Sequence, residues 1–265
     1  MESQLLCDKI KSWLCPPDPS TNINHAKKLR HEGTGAWLLK KPFFQSWHSG
    51  SNRHIWLYGL AGCGKTVLST TILDYLAETH DGLLLRFYFD FSDGRKQRLS
   101  SMLRSLTFQM YERGPVFRRH LDALFHHHRD GQDQPSTETL SEIVRKMLME
   151  EKSVCVVLDA LDESTTRDEL LRWLQDIASN PELHHVRLLY TGRPESDLHQ
   201  GLPDCIGQEN CFSIDRQALN EDIRAYVVWQ LTEGEGFKKR KLSEELVELI
   251  ESKVGKGSDG MWVFA

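Results

Sequence analysis

The sequence has little of what marks secreted, membrane or polyanion-binding proteins. Six cysteines in 265 residues are too few for a disulfide framework, and no CxxC pair or zinc-like Cys/His spacing occurs. No run of about 18 apolar residues is present, and the N-terminus lacks the basic start and apolar core of a signal peptide. The net charge of −5 is spread along the chain, so it favours neither nucleic acid nor an anionic membrane as a partner. These absences predict a cytoplasmic protein with reduced thiols and no direct nucleic-acid or membrane binding.

Short apolar runs alternate with amphipathic helical patterns over most of the chain. This alternation predicts a mainly parallel sheet with helices on both sides, which is a three-layer α/β sandwich. The run at 153–160 is apolar almost without interruption, as expected of a strand that is buried on both faces. The predicted strands lie within residues 55–58, 83–91, 153–160, 186–193 and 211–216.

Changes in pattern divide the chain into three predicted parts. Residues 1–50 have little regular period and are interpreted as an N-terminal arm and entry segment. Residues 51–216 carry the α/β pattern, and residues 217–265 carry two amphipathic helices that we interpret as a small helical subdomain. The apolar residues Trp262, Val263 and Phe264 resemble a helix cut in mid-face, so we expect this subdomain to be truncated. The basic run at 238–241 is interpreted as solvated surface, with a nuclear address as the alternative.

The segment GLAGCGKT at 59–66 matches the phosphate-binding pattern G-x-x-x-x-G-K-[ST]. It lies between an apolar strand and a helical pattern, where backbone N–H groups and the positive end of a helix can face a phosphate. In this pattern Lys65 supplies positive charge to the β- and γ-phosphates and the Thr66 hydroxyl binds Mg²⁺. The alternatives are a simple strand-to-helix turn for the loop and, for Cys63, a redox-sensitive thiol with a lowered pKa. The predicted nucleotide contacts are Gly59, Gly62, Cys63, Gly64, Lys65, Thr66 and Val67.

Charged residues follow two of the predicted strands. Asp159 ends the run at 153–160, at the sheet edge where open α/β sheets bind ligands, and is predicted to hold Mg²⁺ with Thr66. One of the next two acids, Asp162 or Glu163, could orient or deprotonate an attacking water, or both could merely complement a helix dipole. Arg193 follows another buried strand and is predicted to sense the γ-phosphate, with a solvated loop residue as the alternative.

As a set, these motifs resemble the NACHT-type nucleotide-binding domain of the STAND group of P-loop NTPases. The resemblance is to the fungal heterokaryon-incompatibility and nephrocystin-like forms, and it covers about residues 33–265. It implies that residues 59–66 are Walker A, that Asp159 is the Walker B magnesium residue, and that Arg193 is the sensor. Asp162 and Glu163 become the trailing acidic pair. The segments that carry it are WLYGLAGCGKTVLSTTIL, FYFDFSDGRKQRLSSMLRSLTFQM, VCVVLDALDES, LLYTGRPES and NEDIRAYV.

The resemblance implies a slow ATP or GTP switch that serves fungal nonself recognition or cell death. In this family the diphosphate form is closed, whereas the triphosphate form opens, oligomerises and releases an effector. Two departures stand out. Ala160 stands where the family often has glycine, a change that we expect to be tolerated. The chain also stops at GMWVFA, where family proteins continue into a winged-helix region and then ankyrin or WD repeats.

Two other functions stay open on the sequence alone. A metabolic P-loop kinase would need an acceptor site, for which only residues 94–151 offer room, and no second substrate signature is present. A pure interaction module would bind nucleotide for stability and hydrolyse nothing. ATP is preferred to GTP because no [NT]-K-x-D stretch follows the Walker B strand.

Overall fold

The computed structural model describes residues 2–234 and 242–257. Its strands are β1 (His54–Tyr58), β2 (Leu83–Tyr88), β3 (Val154–Asp159), β4 (Val186–Gly192) and β5 (Cys211–Ser213). They form one sheet in the order β2-β3-β4-β1-β5, in which every neighbouring pair is parallel. The predicted α/β fold with a parallel sheet is therefore confirmed.

Helices connect the strands and cover the sheet. No helix in the described parts of the chain is both long and apolar enough to cross a membrane. Short 3₁₀ turns lie at Gly94–Lys96, Leu161–Glu163, Pro181–Leu183 and Gln208–Asn210. The α-helices are α1 (Glu2–Leu14), α2 (Ser20–Leu29), α3 (Ala36–Leu39), α4 (Pro42–His48), α5 (Lys65–Thr79), α6 (Leu99–Arg113), α7 (Pro115–His127), α8 (Thr137–Leu148), α9 (Arg167–Ser179), α10 (Ser196–Ile206), α11 (Arg216–Thr232) and α12 (Glu244–Gly257).

The core lies on both faces of the sheet, and β3 shows how the sequence produces this arrangement. Every residue of β3 is buried. Successive side chains of a strand point to opposite faces, so Val156 and Leu158 join one apolar cluster while Cys155 and Val157 join the other. The first cluster is formed with α1 and α6 to α10, and the second with α2 to α5. A strand covered on both sides needs apolar residues at every position, which explains its unbroken apolar run.

The N-terminal segment, which we interpreted as an arm because its sequence has little regular period, contains helices α1 to α4. Ile10, Trp13 and Leu14 of α1 are buried in the first apolar cluster, at a spacing that places them on one helical face. The indole Nε1 of Trp13 donates a hydrogen bond to the carbonyl of Asp133 at 2.7 Å. The prolines at 16 and 17 end this helix rather than prevent it. The division of the chain into three parts stays a prediction.

Helix α2 supplies partners to a buried lysine. Lys96 is only 3% exposed, and its Nζ donates to Thr21 Oγ1 and Asn22 Oδ1 at 2.5 Å each. Burial lowers the pKa of Lys96, while the carboxylates of Asp93 and Asp90 oppose this shift. A buried ammonium is tolerated only with such partners, so α2 is part of the packed structure.

Helices α11 and α12 pack on each other through a separate apolar cluster of Ile223, Val227 and Leu231. Asp222 joins α11 to the segment before α3, because its Oδ2 accepts from the Gly35 amide at 2.9 Å and from Trp37 Nε1 at 3.0 Å. The basic run at 238–241 and the residues Trp262, Val263 and Phe264 lie outside the described residues.

Candidate nucleotide site

The loop at residues 59–64 joins β1 to α5 at the carboxyl edge of the sheet. Gly62 and Gly64 have φ angles of 73° and 80°, a left-handed conformation that side chains disfavour. A Cβ on Gly59 would lie 2.7 Å from the sulfur of Cys63, so a larger residue there would force the Cys63 side chain to move. The three glycines therefore allow a tight loop whose backbone comes close to whatever the loop encloses.

Lys65 is the first residue of α5 and closes this loop. Its Nζ donates to the carbonyl of Gly59 at 2.9 Å and to that of Leu60 at 2.8 Å. A cavity of about 280 Å³ lies against the loop. Its walls are Leu29, Ala61, Gly62, Gly64, Lys65, Thr66, Val67, Ala160, Glu163 and Arg193. Most of the predicted phosphate contacts therefore surround one space.

Gly59 and Cys63 are the predicted contacts that do not line this cavity. The side chain of Cys63 is 5% exposed, and its sulfur lies 3.8 Å from Lys65 Nζ. Burial raises the pKa of the Cys63 thiol, and Lys65 only partly offsets that effect. The lowered pKa that we considered for a redox-sensitive thiol is therefore wrong in direction.

Asp159 lies at the end of β3, beside the first turn of α5. It is 1% exposed, and its carboxylate accepts hydrogen bonds from Thr66 Oγ1 at 2.8 Å, from Thr191 Oγ1 at 2.7 Å and from Ser69 Oγ. Burial raises the pKa of Asp159, and the three hydroxyl groups lower it. Sequence reasoning missed Ser69 and Thr191. The available signals were that Ser69 is one helical turn after Thr66 and that Thr191 ends a neighbouring strand.

These oxygen atoms fit a magnesium ion. Mg²⁺ is bound by hard oxygen ligands, usually one or two protein groups together with phosphate oxygens and water. Thr66 Oγ1 and Asp159 Oδ2 are 2.8 Å apart, and Thr66 lines the cavity together with Lys65. In the described residues no group of three or more His, Cys, Asp or Glu could hold a metal on its own. The predicted pair of ligands therefore suits a metal that arrives with a nucleotide.

The acidic pair after β3 takes two different environments. Asp162 is 5% exposed and pairs with Arg193, accepting from its backbone N–H at 2.9 Å and lying 3.2 Å from its Nε. Glu163 is on the wall of the cavity and accepts from the Phe91 amide at 2.9 Å. Burial raises the pKa of Glu163, that amide lowers it, and the carboxylates of Asp162 and Asp159 raise it. Of the two acids, only Glu163 lines the cavity beside the loop.

Arg193 follows β4 and stands between two spaces. Its side chain is 42% exposed and lines both the cavity beside the loop and a larger groove of about 1060 Å³. Glu163 also lines both, so the two spaces share the side chains of Glu163 and Arg193 as a common wall. The geometry thus brings Lys65, Thr66, Glu163 and Arg193 to one cavity, with Asp159 directly beneath it.

Comparison with known proteins identifies the family. The family described as "Nephrocystin 3, N-terminal" matches residues 33–193. The chain belongs to this family. It is also 31% identical over 159 residues to the Vegetative incompatibility protein HET-E-1 of Podospora anserina, a match that covers 55% of this chain and 12% of that protein. The nephrocystin-like, NACHT-type character predicted from the motifs is confirmed. The chain spans only a small part of the length of this relative.

A likeness among solved structures supports the fold of this nephrocystin-type chain. The crystal structure of Cdc6p from Pyrobaculum aerophilum matches 82% of this chain and 52% of its own, with a TM-score of 0.52 and 13% identity. At that identity the likeness concerns the fold, which is that of an α/β P-loop NTPase. All predicted site residues, from Gly59 to Arg193, fall within the range that the family matches.

Proposed function

We propose that this chain is a nucleotide-binding switch that takes ATP with Mg²⁺ and hydrolyses it slowly. The observation that carries the proposal is the contact between Thr66 and Asp159 at 2.8 Å, next to a cavity that Lys65 also lines. A hydroxyl and a carboxylate at the end of a buried strand, beside a phosphate loop, are the protein ligands that a nucleotide-bound Mg²⁺ requires in P-loop proteins.

Each residue at the cavity has a role in this proposal. Lys65 moves its ammonium from the loop carbonyls to the β- and γ-phosphates, and the backbone amides of the loop bind the same phosphates. Thr66 and Asp159 hold Mg²⁺, which, when bound, neutralises charge that develops on the phosphate oxygens. Glu163 orients the attacking water, and Arg193 contacts the γ-phosphate.

The environment of Glu163 supports slow turnover. Its carboxylate already accepts a hydrogen bond from the Phe91 amide at 2.9 Å, and this contact competes with a water for the same group, although burial raises the pKa of Glu163. Arg193, the other group beside the γ-phosphate position, is held by Asp162. Because Glu163 and Arg193 both already have partners within the protein, the site favours a long-lived triphosphate state. Such a state suits a switch better than a metabolic enzyme.

The proposal extends to the whole protein. ATP is the proposed nucleotide, and the resemblance to the family supports proposing oligomerisation in the triphosphate state, cytoplasmic location and a role in nonself recognition or cell death. The repeat or effector regions would belong to a longer chain. Residues 94–151, where a kinase would need its acceptor site, are largely α6 to α8, whose apolar faces pack in the core.

Calorimetric titration with ATP, ADP and GTP in Mg²⁺, together with a phosphate-release assay, tests the proposal. We expect tight binding with turnover far below about one per second, the low end of ordinary enzymes. Lys65→Ala should weaken Mg·ATP binding by about 100-fold or more while leaving the unfolding transition unchanged. Lys146→Ala, which removes an exposed lysine of α8, is the matched control and should bind normally. Tight binding by Lys65→Ala, or turnover only with an added acceptor, would contradict the switch.

A further inference from the structure

Both carboxylate oxygens of Asp162 contact Arg193, and the residue lines the larger groove beside the nucleotide cavity. Its Oδ1 accepts from the Arg193 amide at 2.9 Å and its Oδ2 lies 3.2 Å from Arg193 Nε. With 5% of its side chain exposed, Asp162 lines the larger groove but not the cavity beside the loop, where a water at the γ-phosphate would lie. These contacts distinguish it from Glu163, which does line that cavity.

The neighbouring backbone fixes Asp162 in this position. Arg167 Nη1 donates to the Asp162 carbonyl at 3.0 Å. Gly192 packs against the carboxylate, since a Cβ there would lie 3.3 Å from Asp162 Oδ1. Thr191 accepts from the Ala160 amide at 3.0 Å and so ties the end of β4 to the start of the same turn. The turn that carries Asp162 and the strand end that carries Arg193 are therefore locked together.

We infer that Asp162 is a positioning residue for Arg193 and not the residue that orients water. This inference rests on the proposed nucleotide site. A buried carboxylate that grips the Nε side of a guanidinium sets the direction of the whole planar group, because the fork of an arginine is rigid. Asp162 thereby holds the exposed part of Arg193 at the wall that the γ-phosphate would face. The chain distinguishes a triphosphate from a diphosphate through this pair.

The test is the ratio of the ADP and ATP dissociation constants in Mg²⁺, measured by calorimetry for the wild type and four variants. Asp162→Asn keeps an oxygen for the Arg193 amide but removes the charge beside Nε. Arg193→Gln removes the guanidinium, and the double variant combines the two changes. Glu163→Gln is the matched control, since it neutralises the adjacent carboxylate without touching the pair.

We expect Asp162→Asn and Arg193→Gln each to lower the ratio about tenfold, with ADP affinity unchanged. The double variant should lower it no further than Arg193→Gln alone, because the two residues act as one unit. Glu163→Gln should reduce turnover and leave the ratio within about twofold of the wild type. Additive losses, or an Asp162→Asn variant with a normal ratio and abolished turnover, would overturn the inference and make Asp162 the water-orienting group.

A further substitution at the half-exposed Arg193 keeps the test valid if Asp162→Asn fails to fold. Arg193→Lys retains a charge at a half-exposed position but cannot make the side-on contact with Asp162. Arg193→Lys should lower the ratio of the ADP and ATP dissociation constants as much as Arg193→Gln does, and a normal ratio would refute the positioning role. If the wild type shows no Lys65-dependent binding, the proposed function itself fails. If it binds but the ratio is independent of Asp162, only the inference fails.

Discussion

His54, the first residue of β1, makes the stability of this protein sensitive to acid. The side chain is 7% exposed, and neither ring nitrogen has a hydrogen-bond partner among the described residues. Burial, with a smaller effect from the charge of Arg53, lowers the pKa of His54 from 6.5 to about 4. The imidazole is therefore neutral in the folded protein under ordinary conditions.

The sign and size of the effect follow from proton linkage. Below pH 6.5 His54 becomes protonated in the unfolded chain, whereas in the folded chain it stays neutral until the pH approaches 4. The contribution of His54 is thus fully present above its unfolded pKa and is lost as the pH falls. At about 1.4 kcal/mol per unit of pKa difference, the loss is about 2 kcal/mol at pH 5 and about 3 kcal/mol at pH 4.

Urea unfolding at pH 7.5, 5 and 4 measures this effect when the wild type is compared with His54→Leu, which is apolar and does not titrate. Between pH 7.5 and 4 the wild type should lose about 3 kcal/mol more free energy of unfolding than the variant. The comparison cancels the titration of all other groups. His127→Leu, which removes an exposed histidine of α7, should follow the wild type. Parallel pH curves for the wild type and His54→Leu would refute the reasoning.

Three further predictions concern the site and its surroundings. Without ligands and near neutral pH, Asp159→Asn should be at least as stable as the wild type, because burial raises the pKa of Asp159 and disfavours its charged form. In thermal-shift assays, however, Mg·ATP should not stabilise this variant. The wild type should gain stability through this group as the pH falls through its folded pKa, and the variant should not. Ala160→Gly should raise the free energy of unfolding by about 0.5 kcal/mol in urea, because Ala160 has a φ of 58° and the relief of that strain exceeds the added entropy of the unfolded chain. A decrease in the free energy of unfolding would contradict this prediction. Gly35→Ala should cost about 1–2 kcal/mol more than Gly33→Ala in the same assay, since both have a positive φ but only a Cβ at Gly35 would meet Leu68, at 2.8 Å; equal costs would show that the contact is unimportant.

The parts of this protein that were predictable from sequence carry their own local signals. Strand β3 is apolar at every position before Asp159 because it is buried on both faces, and this continuous apolar run identified it as a strand. The loop at 59–66 combines glycines with Lys65 and Thr66 in a fixed order that the backbone and the phosphates both require. Such features need no knowledge of the neighbouring elements.

Residues whose roles depend on how elements meet were not predictable. Thr191 reaches Asp159 because β3 and β4 pair in a register with Leu158 opposite Tyr190, which places the next residues side by side. Asp162 and Glu163 are adjacent and chemically alike, so only the 3₁₀ turn at Leu161–Glu163 separates a buried partner of Arg193 from a residue at the cavity wall.

Helices α1 and α2 have a practical consequence for how this protein is cut into fragments. The match to the family begins at residue 33, yet Trp13 lies in the main core and Lys96 takes its ammonium partners from Thr21 and Asn22. An expression fragment that starts at residue 33 would expose apolar core surface and leave the buried ammonium of Lys96 without its hydrogen-bond acceptors. The limit of sequence similarity is therefore not the limit of the folding unit, and the first 32 residues belong in any soluble version of this nucleotide-binding region.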